Sequence, residues 1–325
     1  MNNDVMQGAA GSLHADKRIE ISKPLGKGGR EVPSGVKPWL FLIPTLVPLA
    51  FWMIKPLFQM LIYVFDDWNM VPGTEPEFVG FQNFIDLFRT PDFGTAIGNT
   101  FYYILMMMPF SVILPVIIAA LLQQLPDKAQ RIFRALILTP LIMPPVATST
   151  VFSWLFNQTN GLVNHVLVSM GLLTDGVNFF MTEGLARFTI SLITGWKTLG
   201  FAVLMYSAAI TSINPEYYEA AKMDGAGGAR RFLDITIPLL SPTVMLMIMM
   251  SILFASQWTF AYIDVLTQGG PYGTTSNFYY LIYTYAFGNS SVGLSAAASL
   301  VFIVIFGIIA VVLQKISRKL AFYDN

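Results

Sequence analysis

Apolar positions in this chain fall into long runs separated by short polar stretches. The runs extend from Trp39 to Ile62, Ala96 to Leu122, Phe133 to Phe156, Phe188 to Ile210, Thr243 to Leu266 and Val292 to Leu313. A helix crosses the ~30 Å hydrocarbon core with about 17 to 25 mostly apolar residues. The pattern therefore predicts an all-α, polytopic membrane protein with six transmembrane helices. Pro44, Pro48, Pro56, Pro109, Pro115, Pro140, Pro144 and Pro145 fall inside the runs, where they predict kinks or displaced helix ends.

Composition agrees with the pattern. The 325 residues are 54% hydrophobic and 12% charged, against roughly 25% charged in a soluble domain. Residues 1–37 contain no apolar run and read as a polar tail, so the first span serves as the insertion signal. The chain thus divides into a tail over 1–37, a six-span domain over 38–316 with its core at 96–314 and a polar loop at 211–242, and a second tail over 317–325.

All but four of the 19 Lys and Arg residues lie on one side of this arrangement. Lys17, Arg18, Lys23, Lys27, Arg30 and Lys37 precede the first span; Lys128, Arg131 and Arg134, then Lys222, Arg230 and Arg231, then Lys315, Arg318 and Lys319 follow the even-numbered spans. The opposite loops hold Arg89 and Arg187 among the acids Asp66, Asp67, Glu75, Glu77, Asp86, Asp92, Asp175 and Glu183. The positive-inside rule makes the basic side, with both termini, cytoplasmic. Trp39, Trp68, Trp154 and the group Tyr279, Tyr280, Tyr283 and Tyr285 lie near span ends, where amphipathic rings anchor in the headgroup layer.

Several classes of function drop out. The chain has no cysteine, so disulfides, thiolate metal sites and cysteine nucleophiles are excluded. His14 and His165 lie far apart in sequence, which leaves a membrane-embedded enzyme without a nucleophile and base, or metal ligands, within mutual reach. Gly26-Lys27-Gly28-Gly29 lacks the spacing that cradles phosphates, so no cofactor is expected on this chain. A stand-alone secondary transporter or channel for a small polar solute is the alternative to a multi-subunit system. It would show charged pairs deep in its spans or an internal repeat.

The loop from Thr211 to Pro242 is too polar to span and too patterned to be a linker. Asn214 suits an N-cap and Pro215 the first helical position, where a missing N–H costs nothing. Glu216 meets the positive end of the helix dipole. Asp224 and Gly225 end the helix, with Gly225 free to take the left-handed C′ conformation. About ten residues make a helix ~15 Å long outside the bilayer. Ala220 and Ala221 let another surface approach its backbone, and Glu219 offers a charge there. A large apolar face opposite a basic one, as a partnerless interfacial helix requires, is missing.

Glu219-Ala220-Ala221, three residues, Gly225, nine residues, Ile235, one residue, Ile237 and Pro238 resemble the cytoplasmic signature of ATP-binding-cassette import permeases, with Ile237 in place of the usual Leu. The resemblance implies the type I importer permease fold, with Glu219, Ala220, Ala221, Asp224 and Gly225 on a coupling helix that docks on an ATPase. It further implies a second permease subunit, two ATPase subunits that hold the ATP and Mg, and an extracytoplasmic solute-binding protein, all at a bacterial inner membrane. No nucleic-acid partner is implied. Shorter blocks are similar to carbohydrate permeases of the maltose and glycerol-phosphate type: Phe78 to Phe84 with Asn99-Thr100, Pro140 to Pro145, Trp154 to Asn157, Gly161 to Asn164, and Leu266 to Pro271 with Ile282-Tyr283 and Ala286-Phe287.

Polar residues inside spans mark candidate pathway positions. Lys197 and Gln257 both stand about 20 Å from the basic side. Thr194, Trp196 and Thr198 surround the first, and Ser256, Trp258 and Thr259 the second. Amides and hydroxyls beside indole faces suit a sugar or polyol, and Lys197 suits one with an anionic group. The same residues admit a plainer account, in which Ser and Thr bond the preceding helical turn, Lys197 snorkels outward and the tryptophans anchor the interface.

Overall fold

The computed structural model describes residues 39–320, with the side chains of 42–319. The whole tail assigned to 1–37, residue 38 and residues 321–325 therefore lie outside the described residues, while residues 317–320 continue the last helix, Val292–Leu320. The described residues form two compact units divided between Pro56 and Leu57.

In the first unit, no side chain from Leu42 to Pro56 is buried. Trp52 is 77% and Met53 62% exposed. In a membrane protein such surface faces lipid tails or another subunit. Pro44 and Pro48 lie inside the helix Trp39–Leu49 and withhold two backbone donors, and the turn Ala50–Ile54 that follows is π-helical.

Five helices are long and apolar enough to cross a membrane: Leu42–Tyr63, Pro91–Leu122, Leu185–Thr211, Ser241–Thr267 and Val292–Lys319. They are taken here as spans one, two, four, five and six. Span two begins five residues before its apolar run, because Thr90 is extended and Pro91 takes the first helical position. The run Phe133–Phe156, expected as one continuous span, is instead two limbs, Asp127–Ile142 and Pro145–Leu155, bent by 95°. The physical reason lies in the prolines. Met143 and Pro144 are both extended at the join, with ψ of 133° and 134°. A residue before proline is pushed out of the helical region, and two consecutive prolines withhold two N–H donors.

Span four is the central helix of the second unit. Of its most apolar stretch 61% is buried, against 17% for span six. It packs along span two and along the first limb of span three. Gly200 makes the second contact possible, since a Cβ there would lie 2.2 Å from the Ile137 carbonyl oxygen. Small residues at such crossings let helices pack closely where lipid offers no hydrophobic driving force. Tyr103, Ile190, Ile193 and Tyr262 centre one buried cluster; Val116, Tyr206 and Met247 centre another.

Between spans one and two, Asp66–Asp67 pairs antiparallel with Glu77–Phe78, a small ribbon that the all-α pattern did not foretell. Short helices complete the fold: Gln82–Arg89, Leu162–Ser169, Pro215–Met223, Gly228–Arg231 and Phe278–Tyr283.

Candidate functional site

Span four ends at Thr211 and the chain turns directly into the helix Pro215–Met223. The Asn214 side chain caps it, accepting from the Glu216 N–H at 3.1 Å. At the other end the Ala226 N–H reaches the Ala221 carbonyl at 2.9 Å and the Gly225 N–H reaches Lys222 at 3.1 Å. This paired closure requires a left-handed C′ residue, and Gly225 supplies it with φ of +76°. Both helix ends are therefore satisfied locally.

No residue of this helix is buried, and Glu219 and Ala220 are exposed. Its Tyr218 hydroxyl shares a hydrogen bond of 2.9 Å with the Thr236 hydroxyl, in the segment that leads into span five. Beside it lies a cleft of about 320 Å³ lined by Ala221, Asp224, Ala226, Arg230, Arg231 and Asp234, among others. Met223 projects with 88% of its surface open. The helix thus has both caps closed, small residues in its middle and no buried side chain.

The second neighbourhood lies where spans three, four and five meet. Lys197 is 1% exposed. Its ammonium donates to the Pro140 carbonyl at 3.1 Å and to the Met143 carbonyl, and stands 5.7 Å from the centre of the Trp258 ring. In a continuous helix the Pro140 and Leu141 carbonyls would be served by residues 144 and 145, which are prolines. At the break the Pro140 carbonyl keeps one backbone donor, the Met143 N–H at 3.3 Å; Lys197 adds a charged donor to it and to the Met143 carbonyl, and its charge meets the negative end of the first limb's dipole.

The threonines spend their protons locally. Thr194 donates to Ile190, Thr198 to its own helix, and Thr259 to Ala255. Trp196 and Trp258 are half-buried and Gln257 is exposed. Ser256 is buried without a hydrogen-bond partner for its hydroxyl. The fold therefore brings Lys197 and Trp258 together, and it leaves Gln257 facing outward.

Sequence reasoning passed over Asn277 and Asn99. Asn277 caps Phe278–Tyr283 by accepting from the Tyr280 N–H at 2.7 Å. Its amide donates to the Ser256 carbonyl at 2.9 Å and to the Thr259 hydroxyl at 2.7 Å. Span five is π-helical from Phe254 to Trp258, and such a turn releases carbonyls that need new donors. Asn99 donates to the Gly273 and Ser276 carbonyls at 3.1 and 2.8 Å and accepts from Arg187 at 2.7 Å. The Arg187 guanidinium lies 4.0 Å from the Tyr102 ring centre. The Asn99-Thr100 pair was visible only as a subfamily marker; the partners of Asn99 stand 88, 174 and 177 residues away in sequence. Among the described residues, no group of three or more His, Asp or Glu could hold a metal ion.

The family model described as binding-protein-dependent transport system inner membrane component matches residues 88–321. The chain belongs to this family. Its relatives include the sn-glycerol-3-phosphate transport system permease protein UgpA of Pectobacterium atrosepticum, 30% identical over 284 residues that cover 87% of this chain and 94% of that one. UgpA of Escherichia coli O6:K15:H31 is 29% identical over 275 residues, 85% and 92% of the two chains. Among solved structures, a bacterial ABC transporter involved in the import of the acidic polysaccharide alginate matches with a TM-score of 0.76 at 25% identity, over 86% of this chain and 94% of that one. Within this inner-membrane transport component, the matched region takes in both neighbourhoods, the exposed helix and the break in span three.

Proposed function

We propose that this permease is one membrane subunit of an ATP-driven importer and forms half of the pathway for a sugar or sugar derivative handed over by a solute-binding protein. The observation that carries the reading is the exposed, doubly capped helix Pro215–Met223, bearing Glu219-Ala220-Ala221 and Gly225, at the end of the central span. It is the coupling helix, and a separate ATPase subunit holding ATP and Mg grips it. Two ATPase subunits and a second permease subunit complete the assembly. The distribution of Lys and Arg supports cytoplasmic termini and a cytoplasmic coupling helix.

Relatives named for sn-glycerol 3-phosphate and a solved transporter of an acidic polysaccharide favour a hydroxylated, anionic cargo. The pathway runs past the groups that reach open space or lack a partner: the Gln257 amide, the faces of Trp196 and Trp258, and the Ser256 hydroxyl. Thr194, Thr198 and Thr259 support the same wall from within.

Co-purification tests the reading. The permease should bring down an ATPase whose hydrolysis rises when loaded binding protein is added, and Glu219→Lys should abolish that rise while the chain still inserts. A permease that carries solute in proteoliposomes with no ATPase present would overturn it in favour of a stand-alone transporter.

A further inference from the structure

Lys197 is a buried cation without a carboxylate partner among the described residues. It sits on the span that leads into the coupling helix, and its ammonium holds the last turn of span three's first limb, at Pro140, and the join itself, at Met143. The two limbs have different supports. The first limb lies against span four, so closely that Gly200 admits no Cβ. The second limb reaches span five, where the Thr148 and Tyr262 hydroxyls share a hydrogen bond of 3.2 Å. At 1% exposure, the ammonium is closed to cargo in this arrangement.

We infer that Lys197 is a positioning residue: it holds the bend of span three and relays movement of the coupling helix to it. Shifting the coupling helix moves span four, and span four moves the ammonium. The ammonium carries the Pro140 and Met143 carbonyls with it, because a charged donor holds them more strongly than the long backbone bond at Pro140, from the Met143 N–H at 3.3 Å, does alone. The bend angle then follows the coupling helix, and the second limb swings against span five beside Trp258. The relay rests on the importer reading, whereas the tie at the break does not.

The chain contains no cysteine, which allows spin labels at Ile132→Cys and Trp154→Cys, exposed positions on the two limbs. The assembled complex in nanodiscs should give one narrow label-to-label distance without nucleotide and a shifted one when ATP is trapped. Lys197→Met should broaden the nucleotide-free distribution and remove the shift, while basal ATP hydrolysis stays within about twofold of the parent's, since no ATPase contact is altered. Lys197→Arg should restore the narrow distribution. An unchanged narrow distribution in Lys197→Met would overturn the tie, and a broadened one that still shifts with ATP would overturn the relay. A parent complex with no shift would overturn the relay and count against the importer reading, leaving the tie to be judged by the nucleotide-free width. Should Lys197→Met fail to insert, adding Pro144→Ala and Pro145→Ala decides. Returning the two donors should rescue insertion and lengthen the distance, and failure to do so would overturn the tie.

Discussion

The amide of Asn277 serves two elements at once, starting the helix Phe278–Tyr283 and filling the open carbonyls of the π-helical turn in span five. It is fully buried, so its removal strands several polar groups, at a cost of about 1–3 kcal/mol for each one left without a partner. Asn277→Ala should lower the thermal midpoint of the purified protein well beyond Asn289→Ala at an exposed position, as read by tryptophan fluorescence on heating. Gly225 is a second residue whose role is set by backbone alone. Replacing it with Val forces a β-branched side chain to φ of +76°, at a cost of about 1–2 kcal/mol or more. Gly225→Val should leave insertion intact and reduce the stimulation of ATP hydrolysis by loaded binding protein.

A helix of nine residues is marginal by itself in water, and Pro215–Met223 buries none of its side chains. The Asn214 cap, the Gly225 closure and the Tyr218 tie to Thr236 all contribute to its order. Loss of an N-cap costs about 0.5–2 kcal/mol, typically 1. Asn214→Ala should therefore raise amide hydrogen exchange across this helix about fivefold, with exchange in span four unchanged. Asn214→Asp, which keeps the acceptor, should not. The break in span three is the other element whose form has a local cause, the pair Pro144 and Pro145. Its stability has a distant cause in Lys197, more than fifty residues further along the chain.

At the scale of the molecule, span four organises the rest: spans two and five and the first limb of span three pack on it. Close approach, more than bulk, is what this arrangement needs. Gly200→Val would place methyl groups where the Ile137 carbonyl already stands 2.2 Å from a single added Cβ. The first limb would have to move away, with loss of packing of about 1–3 kcal/mol or more. Gly200→Val should thus abolish the monodisperse peak on size exclusion in detergent, whereas Gly307→Val, where an added Cβ meets open space, should leave it unchanged.

The number of spans, the basic-side loop and the capped helix within it were legible from the chain because each depends on neighbours in sequence: an apolar run of membrane length, an Asn-Pro start, a Gly stop. The broken third span was half legible, since its prolines were plain and its 95° bend was not. Proline removes donors but does not choose the direction in which a helix departs. What Lys197, Asn277 and Asn99 do was closed to sequence reasoning. A buried polar group takes its function from whichever unpaired donor or acceptor the fold carries to it, and here those partners lie on other spans. Tertiary structure alone decided that Lys197 is bound to the carbonyls of a bend, because in a low-dielectric interior a buried ammonium must be met by acceptors, and these are the ones the fold carries to it.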